Sequence, residues 1–449
     1  MEVNSKNTMK YCHRIHEYLY LDHFDGNICL CPWMDPQYAV IGNLLTESVE
    51  EAYNSEHANY LRSTIEDQTF RHCRPEACPY LQNQELEEIS IEEYNQKKTK
   101  EQYPSIINLA HDFMCNQSCE TCRSAVFIPP VDYANKMQII QMKIQPCLNQ
   151  AHEITASGHG DPFASPYMMD ILADLKPNNP QLVILLETNG VFFDEQHWKR
   201  IQHLGDVHLE VVVTTNSFDE FTYQHISRGG NFKKLMHNLD FISRLRREGK
   251  LKKLMNSIVF QDRNFRELPS FVEKSFRDYD FDEVILKPVY QWGTMDEQVF
   301  WYKDVLNPLH PYHQEYFEIL QNPILHDPRV YNFGGKTVHP ARPYPIRENV
   351  SLFAYDKIQK GSKIILYGAG QVGQTVMKEL QYNQYCEVVL WVDKNSDGVI
   401  IKSPQSIKKM LLQSYDSVFI ATSKKEYVDE IETVLKGMGV PKERIISNF

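Results

Sequence analysis

Three cysteines within eight residues offer the strongest chemistry in this chain. Cys115-Asn-Gln-Ser-Cys119-Glu-Thr-Cys122 separates its thiols by three and then two residues. Thiolates bind iron–sulfur clusters. A loop with these gaps can wrap one cubane face and ligate three irons, which leaves the fourth iron open. A structural zinc site wants four closed ligands, typically as two cysteine pairs. The lone triple fits zinc poorly, although zinc and unligated thiols stay as the alternatives. Of the ten cysteines, eight precede residue 123, the others being Cys12, Cys29, Cys31, Cys73 and Cys78. Clustered cysteines in a reducing compartment point to metal rather than disulfides. Cys147 and Cys386 stand apart and read as ordinary small buried side chains.

A second motif lies near the C-terminus. Tyr367-Gly368-Ala369-Gly370-Gln371-Val372-Gly373 follows a strand-like run and opens a helical one. It matches the Gly-x-Gly-x-x-Gly dinucleotide fingerprint. Asp393 follows Gly373 by twenty residues, where a ribose-binding acid belongs. Gly368, Gly370, Gly373 and Asp393 are therefore candidate nucleotide or NAD contacts, with packing or dimerisation as the competing role.

These motifs sit among elements that the hydrophobic pattern places in three regions: 1–98, cysteine-rich; 99–340; and 350–449. In the first, a helical pattern runs over Ser48–Arg62, and the charged stretch Glu85–Glu101 reads as a solvated helix or linker. In the second, strand candidates Ile106–Ala110, Glu153–Ser157, Leu182–Glu187, Val207–Val213, Asn256–Phe260 and Val284–Pro288 alternate with helical stretches such as Phe232–Arg247 and Phe265–Tyr279. That alternation predicts parallel strands with helical crossovers and an open or partial α/β barrel. Chemistry in such barrels sits on the loops after the strand C-termini. The third region restarts the pattern at Ile364–Tyr367, Val388–Val392, Ser417–Ala421 and Arg444–Ile446, after a Pro/Arg-rich linker at His339–Glu348.

Composition narrows the function classes. The 449 residues carry 47 Lys+Arg against 59 Asp+Glu, a net charge of −12. No basic excess exists to neutralise phosphates, which argues against nucleic acid or anionic membrane as partners. The 12% of aromatic residues exclude disorder as the main state. The polar N-terminus and short apolar runs predict a cytoplasmic protein with no membrane span.

The cysteine triple, in its place after the first strand of the second region, resembles the radical S-adenosylmethionine (SAM) superfamily, and the resemblance extends through most of residues 105–300. Ser157-Gly158-His159-Gly160-Asp161-Pro162 is similar to that family's Gly-Gly-Glu-Pro element. The resemblance implies that Ser157, Gly158, Gly160 and Asp161 hold the methionine amino group, a carboxylate pairing with an ammonium. Glu187-Thr188-Asn189-Gly190 resembles the Thr-Asn-Gly turn, which brings in Asn189. In Val213-Thr214-Thr215-Asn216, Thr214 keeps a hydroxyl for the ribose, while Asn216 and Ser217 depart from the usual acid and glycine. In Arg228-Gly229-Gly230-Asn231-Phe232, Arg228 would pair with the SAM carboxylate or be an exposed helix-start arginine. Gln291-Trp292-Gly293-Thr294 is similar to a Trp-Gly-Thr element of many relatives. Thr121 departs from the aromatic residue usual before the third cysteine, a role that falls to Phe113 in this reading.

The N-terminal cysteines resemble the SPASM or twitch auxiliary-cluster domain, here placed ahead of the barrel. The resemblance rests on Gly26-x4-Cys31, Cys73-x4-Cys78-Pro79, Cys31-Pro-Trp33 and Ile41-Gly42-Asn43-Leu44. It implies one auxiliary [4Fe–4S] cluster on Cys12, Cys31, Cys73 and Cys78, with Cys29 competing with Cys31 and zinc as the alternative metal. His72 reads as a packing residue. The fold expected is thus a partial (β/α)6 radical SAM barrel with an N-terminal iron–sulfur domain and a C-terminal Rossmann-like domain. The activity implied is reductive cleavage of SAM to a 5′-deoxyadenosyl radical that abstracts hydrogen from a small-molecule or sugar-linked substrate. An external donor such as flavodoxin or ferredoxin would supply the electron. Peptide maturation, an NAD-dependent oxidoreductase and a non-catalytic iron–sulfur scaffold are the competing functions.

Overall fold

The computed structural model describes residues 8–75, 77–98, 103–123, 125–334, 341–342, 352–396, 398–422 and 425–448. The chain forms two compact units, Met1–Lys287 with Asn322–Lys336, and Pro288–Gln321 with Thr337–Phe449. The expected linker His339–Glu348 lies outside the described residues except at Ala341 and Arg342.

In the first unit the strands are β1 (Thr8–Tyr11), β2 (Tyr18–Leu21), β3 (Asn27–Cys29), β4 (Val40–Asn43), β5 (Glu87–Ser90), β6 (Ile106–Leu109), β7 (Glu153–Ala156), β8 (Val183–Thr188), β9 (His208–Thr214), β10 (Lys253–Phe260), β11 (Glu283–Pro288) and β12 (Val330–Asn332). Ten of them form one sheet in the order β12-β11-β10-β9-β8-β7-β6-β2-β3-β4. From β6 to β11 spatial order follows sequence order, and helices fill the connections. The pairs β6–β7, β7–β8, β8–β9 and β9–β10 are parallel, as the alternating pattern requires.

Burial alternates with period two along β6, β7, β8 and β11. Alternate side chains such as Ile107, Ile154, Ile184 and Val284 are at most 1% exposed, and they pack the apolar face of the sheet. The intervening residues, Glu187 and Lys287 among them, are only half-buried and populate the opposite face. Lys287 Nζ lies 3.8 Å from Glu187 Oε1, although β9 and β10 separate their strands. Three strand spacings of about 4.8 Å would hold those strands roughly 14 Å apart on a flat sheet. The two long side chains reach across the intervening strands on the polar face.

The sheet does not stop at the boundary expected near residue 98. β2 pairs in parallel with β6, Tyr18 opposite Ile106 and Leu21 opposite Leu109, and β3 and β4 extend it by antiparallel pairing. The single helix expected over Ser48–Arg62 is two, Val49–Tyr53 and Glu56–Glu66. Ser48 and Ser55 each accept the backbone N–H three residues on, so the second serine caps a new helix inside one apolar pattern. The charged stretch from Glu85 is half strand: β5 pairs with β1, and the helix Ile91–Lys98 follows.

The second unit contains β13 (Lys363–Tyr367), β14 (Glu387–Val392), β15 (Ser417–Ile420) and β16 (Ile445–Ile446), all parallel in the order β14-β13-β15-β16. The sheet has four parallel strands, fewer than the two three-stranded halves that a full dinucleotide-binding fold joins. Gly373 is required by packing: a Cβ there would meet the Gly368 carbonyl oxygen at 2.0 Å, whereas a Cβ on Gly370 meets nothing within 4 Å. Gly373→Ala is therefore expected to destabilise this unit by about 2 kcal/mol or more through a backbone shift, with Gly370→Ala within ~0.5 kcal/mol of the parent. Hydrogen exchange over 360–446 reads the difference, and equal protection in the two variants would refute the assignment.

Just past β6, His111 is 1% exposed and neither ring nitrogen has a hydrogen-bond partner. Burial pushes its imidazole down to about 4. The unfolded chain takes up the proton near pH 6.5, and the folded protein does so only near pH 4. Stability is thus full above pH 6.5 and declines as pH falls toward 4, by about 3 kcal/mol from this group. His111→Leu should flatten that part of the denaturant-midpoint profile against pH; an unchanged slope would assign it to other groups.

Candidate functional site

The loop after β6 has no ladder to satisfy its backbone, so other segments do so. Ser118 N donates to the Arg228 carbonyl and Glu120 N to that of Ile226, both at 2.9 Å. Arg228 returns the contact, Nε donating to the Ser118 carbonyl at 2.9 Å and Nη2 to that of Arg123 at 3.0 Å. Arg123 Nη1 donates to the Phe113 carbonyl at 2.9 Å, and its Nη2 donates to that of His159. Arg228, read from sequence either as a partner of the SAM carboxylate or as an exposed helix-start arginine, is exposed, is engaged by the cysteine loop and is not in the lining of the cleft described below.

The glycine loop after β7 packs against the same segment. Asp161 N donates to the Met114 carbonyl at 2.9 Å. A Cβ on Gly160 would meet the carbonyl oxygens of Asp112 and Met114, each at 2.5 Å, and one on Gly158, at φ +101°, would meet Ala110 Cβ at 2.5 Å. The close approach that these glycines permit is to the cysteine loop itself.

Asp161 is 3% exposed. Its carboxylate accepts from Phe163 N at 3.0 Å, Ala164 N at 3.2 Å, Thr188 Oγ1 at 2.9 Å and Asn189 N at 2.7 Å. Burial raises its pKa despite those four donors. The carboxylate expected to face an ammonium is thus taken up in joining the β7 and β8 loops. Phe113 is likewise engaged, stacked on His159 with ring centroids 4.2 Å apart.

Cys115, Cys119 and Cys122 open into one cleft of about 160 Å³. Gly158, Gly160 and Asp161 line it from the β7 side, Asn189 and Glu187 from β8, and Thr214 from β9. Ser157 is not part of the lining. Asn189 Nδ2 donates to Asn116 Oδ1 at 2.9 Å and lies 3.8 Å from Cys115 Sγ. Burial pushes the Cys115 thiol up to about 12 and the Cys119 thiol to about 11. Gln117, Arg123, His159 and Glu187 also line the cleft. Sequence reasoning assigned them nothing, because their types carry no signal until the loops meet.

The N-terminal thiols form a second site. Cys12 precedes the short helix Arg14–Glu17, and Cys31 follows β3. The turn after Cys31 is laced to the segment bearing Cys73: Asp35 N donates to the His72 carbonyl at 2.9 Å and Arg74 N to that of Trp33 at 3.1 Å. Cys78 N donates to the Arg74 carbonyl at 2.8 Å. Cys12, Cys31, Cys73 and Cys78 thereby ring one small cavity rather than converging, among the described residues, on a single ion position. Cys29 lies on β3 opposite Tyr20 and does not line it. His72 hydrogen-bonds Tyr60 Oη at 3.0 Å and packs against Tyr38 with ring centroids 4.3 Å apart and tilted by 40°, a packing role. Burial raises the Cys12 thiol and pushes Cys31 and Cys73 up to about 12.

In the C-terminal unit Gly370 caps the helix Gln371–Asn383. Asp393 accepts from Ala369 N at 2.7 Å and from Asn395 N at 2.8 Å, so the expected ribose acid ties the glycine loop to the end of β14. Cys147 and Cys386 are buried and distant in sequence from both thiol sets, as expected.

Comparison with known proteins adds two family matches. Residues 12–80 match SPASM, an iron–sulfur cluster-binding domain, and residues 360–446 match the C2185-like, N-terminal family. The likeness read from the N-terminal cysteines is borne out by the first. A search of curated proteins found no match. Similar solved structures include SuiB of Streptococcus suis bound to S-adenosylmethionine, at 11% identity and TM-score 0.35, with 73% of this chain and 72% of that one covered. Native anSMEcpe with bound AdoMet follows at 15% identity and TM-score 0.33, with 51% and 63% covered. The radical S-adenosylmethionine methyltransferase TsrM from Kitasatospora setae, with cobalamin and a [4Fe–4S] cluster bound, has 12% identity and TM-score 0.30, with 42% and 34% covered. Among the described residues no helix is long and apolar enough to cross a membrane.

The placement of Cys29 and Cys31 yields a direct test. Cys31→Ser is expected to remove the metal of the N-terminal site from anaerobically reconstituted protein, and Cys29→Ser to retain it. Loss of metal with Cys29→Ser and retention with Cys31→Ser would reverse the assignment.

Proposed function

We propose that this chain is a radical SAM enzyme with an auxiliary iron–sulfur cluster, acting on a small-molecule or sugar-linked substrate. One observation carries the reading: the three thiols of the loop after β6 open into the same cleft as the β7 glycine loop, Asn189 and Thr214. The donor set suits a cluster. Cys115, Cys119 and Cys122 supply three thiols on one loop and leave one coordination position to the cleft. Burial raises the Cys115 and Cys119 thiols, so these two are neutral without a metal and release protons as it binds. When bound, the reduced cluster and SAM supply an electron and a carbon-centred oxidant able to take hydrogen from an unactivated C–H bond.

This chain's residues then have binding and orienting roles. Backbone at Gly158 and Gly160 faces the cleft, and Thr214 offers a hydroxyl at its β9 side. Asn189 holds the position of Cys115 through its contacts with Asn116 and the sulfur. Asp161 and Arg228 act at one remove, fixing the loops rather than meeting the ligand. The N-terminal thiols Cys12, Cys31, Cys73 and Cys78 would hold the auxiliary [4Fe–4S] cluster, supported by the family match over 12–80. An external flavodoxin or ferredoxin is the proposed electron source, and peptide maturation is the alternative use of the same site.

Two [4Fe–4S] clusters imply about eight irons per chain after anaerobic reconstitution. Replacing Cys115, Cys119 and Cys122 together by Ala should leave about half of the iron and bring 5′-deoxyadenosine formation under dithionite to background. Full iron content in that triple variant, or undiminished deoxyadenosine, would reject the reading.

A further inference from the structure

The cavity ringed by Cys12, Cys31, Cys73 and Cys78 has one charged side chain in its wall, Arg14. Among the described residues, the rest of that lining is apolar or aromatic and includes no carboxylate. The guanidinium is held in place by rings: its central carbon stands 4.3 Å from the Tyr18 ring centroid, 4.4 Å from that of Trp33 and 5.7 Å from that of Tyr80. Such stacking orients a planar cation. Yet Nε and Nη1 are both buried without a hydrogen-bond partner. The Tyr18 and Tyr80 side chains interact with the half-buried guanidinium, but two buried donors left unpaired are costly, so Nε and Nη1 call for an acceptor that the described residues do not provide.

We propose that Arg14 donates N–H···S hydrogen bonds to the cluster bound at these four thiols and sets its reduction potential. The inference rests on the reading of those thiols as ligands of a [4Fe–4S] cluster. Four thiolates around a doubly positive core give a unit of charge −2. One-electron reduction by an external donor takes it to −3 and leaves every ligand bond in place. A cation in the cavity wall with two unpartnered donors interacts more strongly with the more negative state. Arg14 therefore raises the potential, making this cluster a better electron acceptor. It is a positioning and tuning residue and touches no substrate.

The test uses the full chain carrying Cys115→Ala, Cys119→Ala and Cys122→Ala, so that the N-terminal cluster alone gives a paramagnetic signal. Iron, zinc and sulfide are assayed first. Potential is then measured by EPR-monitored redox titration. In Arg14→Gln the reduced-to-oxidised ratio at fixed ambient potential should fall about tenfold, which is about 59 mV for a one-electron couple. Arg14→Lys, which keeps the charge and loses the planar donors, should shift less. A second readout stands apart from the stability of either variant. With arginine labelled by ¹⁵N at the guanidinium only, the reduced cluster of the Arg14 protein should show nitrogen hyperfine coupling that Arg14→Lys lacks. Four irons with an unshifted midpoint in Arg14→Gln would overturn the role of Arg14 and leave the cluster assignment intact. Zinc in place of iron would overturn both. If Arg14→Gln cannot hold iron, the labelled protein decides, and absent coupling there overturns the proposal.

Discussion

An irregular loop that must carry three thiols needs every backbone group met from outside, and that constraint organises the centre of this protein. Residues 110–123 leave β6 without ladder partners of their own. Buried peptide groups left unpaired would cost more than the loop could recover. The Arg228 segment, the Arg123 guanidinium and the β7 glycine loop converge to meet that need. The glycines of the β7 loop are small because the cysteine loop lies against them. Asp161 is buried because it joins the β7 loop to the β8 loop. Residues with the composition of a ligand site thus have a prior duty as scaffold, and the cleft is what that scaffold leaves open.

This division of labour explains what could be read from the sequence. Cysteine spacing is a local property, so the triple and the Cys73-x4-Cys78 pair were legible without a fold. From β6 to β11 strand positions were legible to within one to three residues, β10 beginning at Lys253 rather than Asn256, because period-two burial writes itself into adjacent residues. The choice between Cys29 and Cys31 was not resolved by spacing alone. It depends on β3 pairing with β2 and on the turn after Cys31 meeting His72 and Arg74, contacts made across some forty residues. The break inside Ser48–Arg62 was signalled by Ser55, but an unbroken apolar pattern outweighed one capping residue.

Charged residues were the least legible. Arg228 and Asp161 were each assigned a charged ligand group because an arginine and a carboxylate suit such partners. In the structure both also join loops: Arg228 donates to two backbone carbonyls, and Asp161 accepts from three backbone N–H groups and the Thr188 hydroxyl. Arg14 attracted no notice, since an arginine at the start of a short helix is unremarkable until Tyr18, Trp33 and Tyr80 close around it. For such side chains the type states what chemistry is available, and only long-range packing states where it is spent.

Strand direction also relates the two thiol sites. The cysteine loop leaves β6 at its C-terminal end, and β2 runs parallel to β6 with Leu21 beside Leu109. β3 runs back antiparallel, Ile28 beside Leu21 and Cys29 beside Tyr20, so Cys31 emerges toward the start of β2. Cys12 and Arg14 precede that same start. The N-terminal cavity therefore lies at the opposite strand ends from the cleft, separated by at least the four-residue length of β2 and β6, roughly 13 Å at about 3.3 Å per residue. A small substrate seated in the cleft cannot at once be a ligand of the far cluster across that span. The arrangement favours the N-terminal site as an electron acceptor over a substrate-binding cluster, which is the role that a cation fixed beside it would serve.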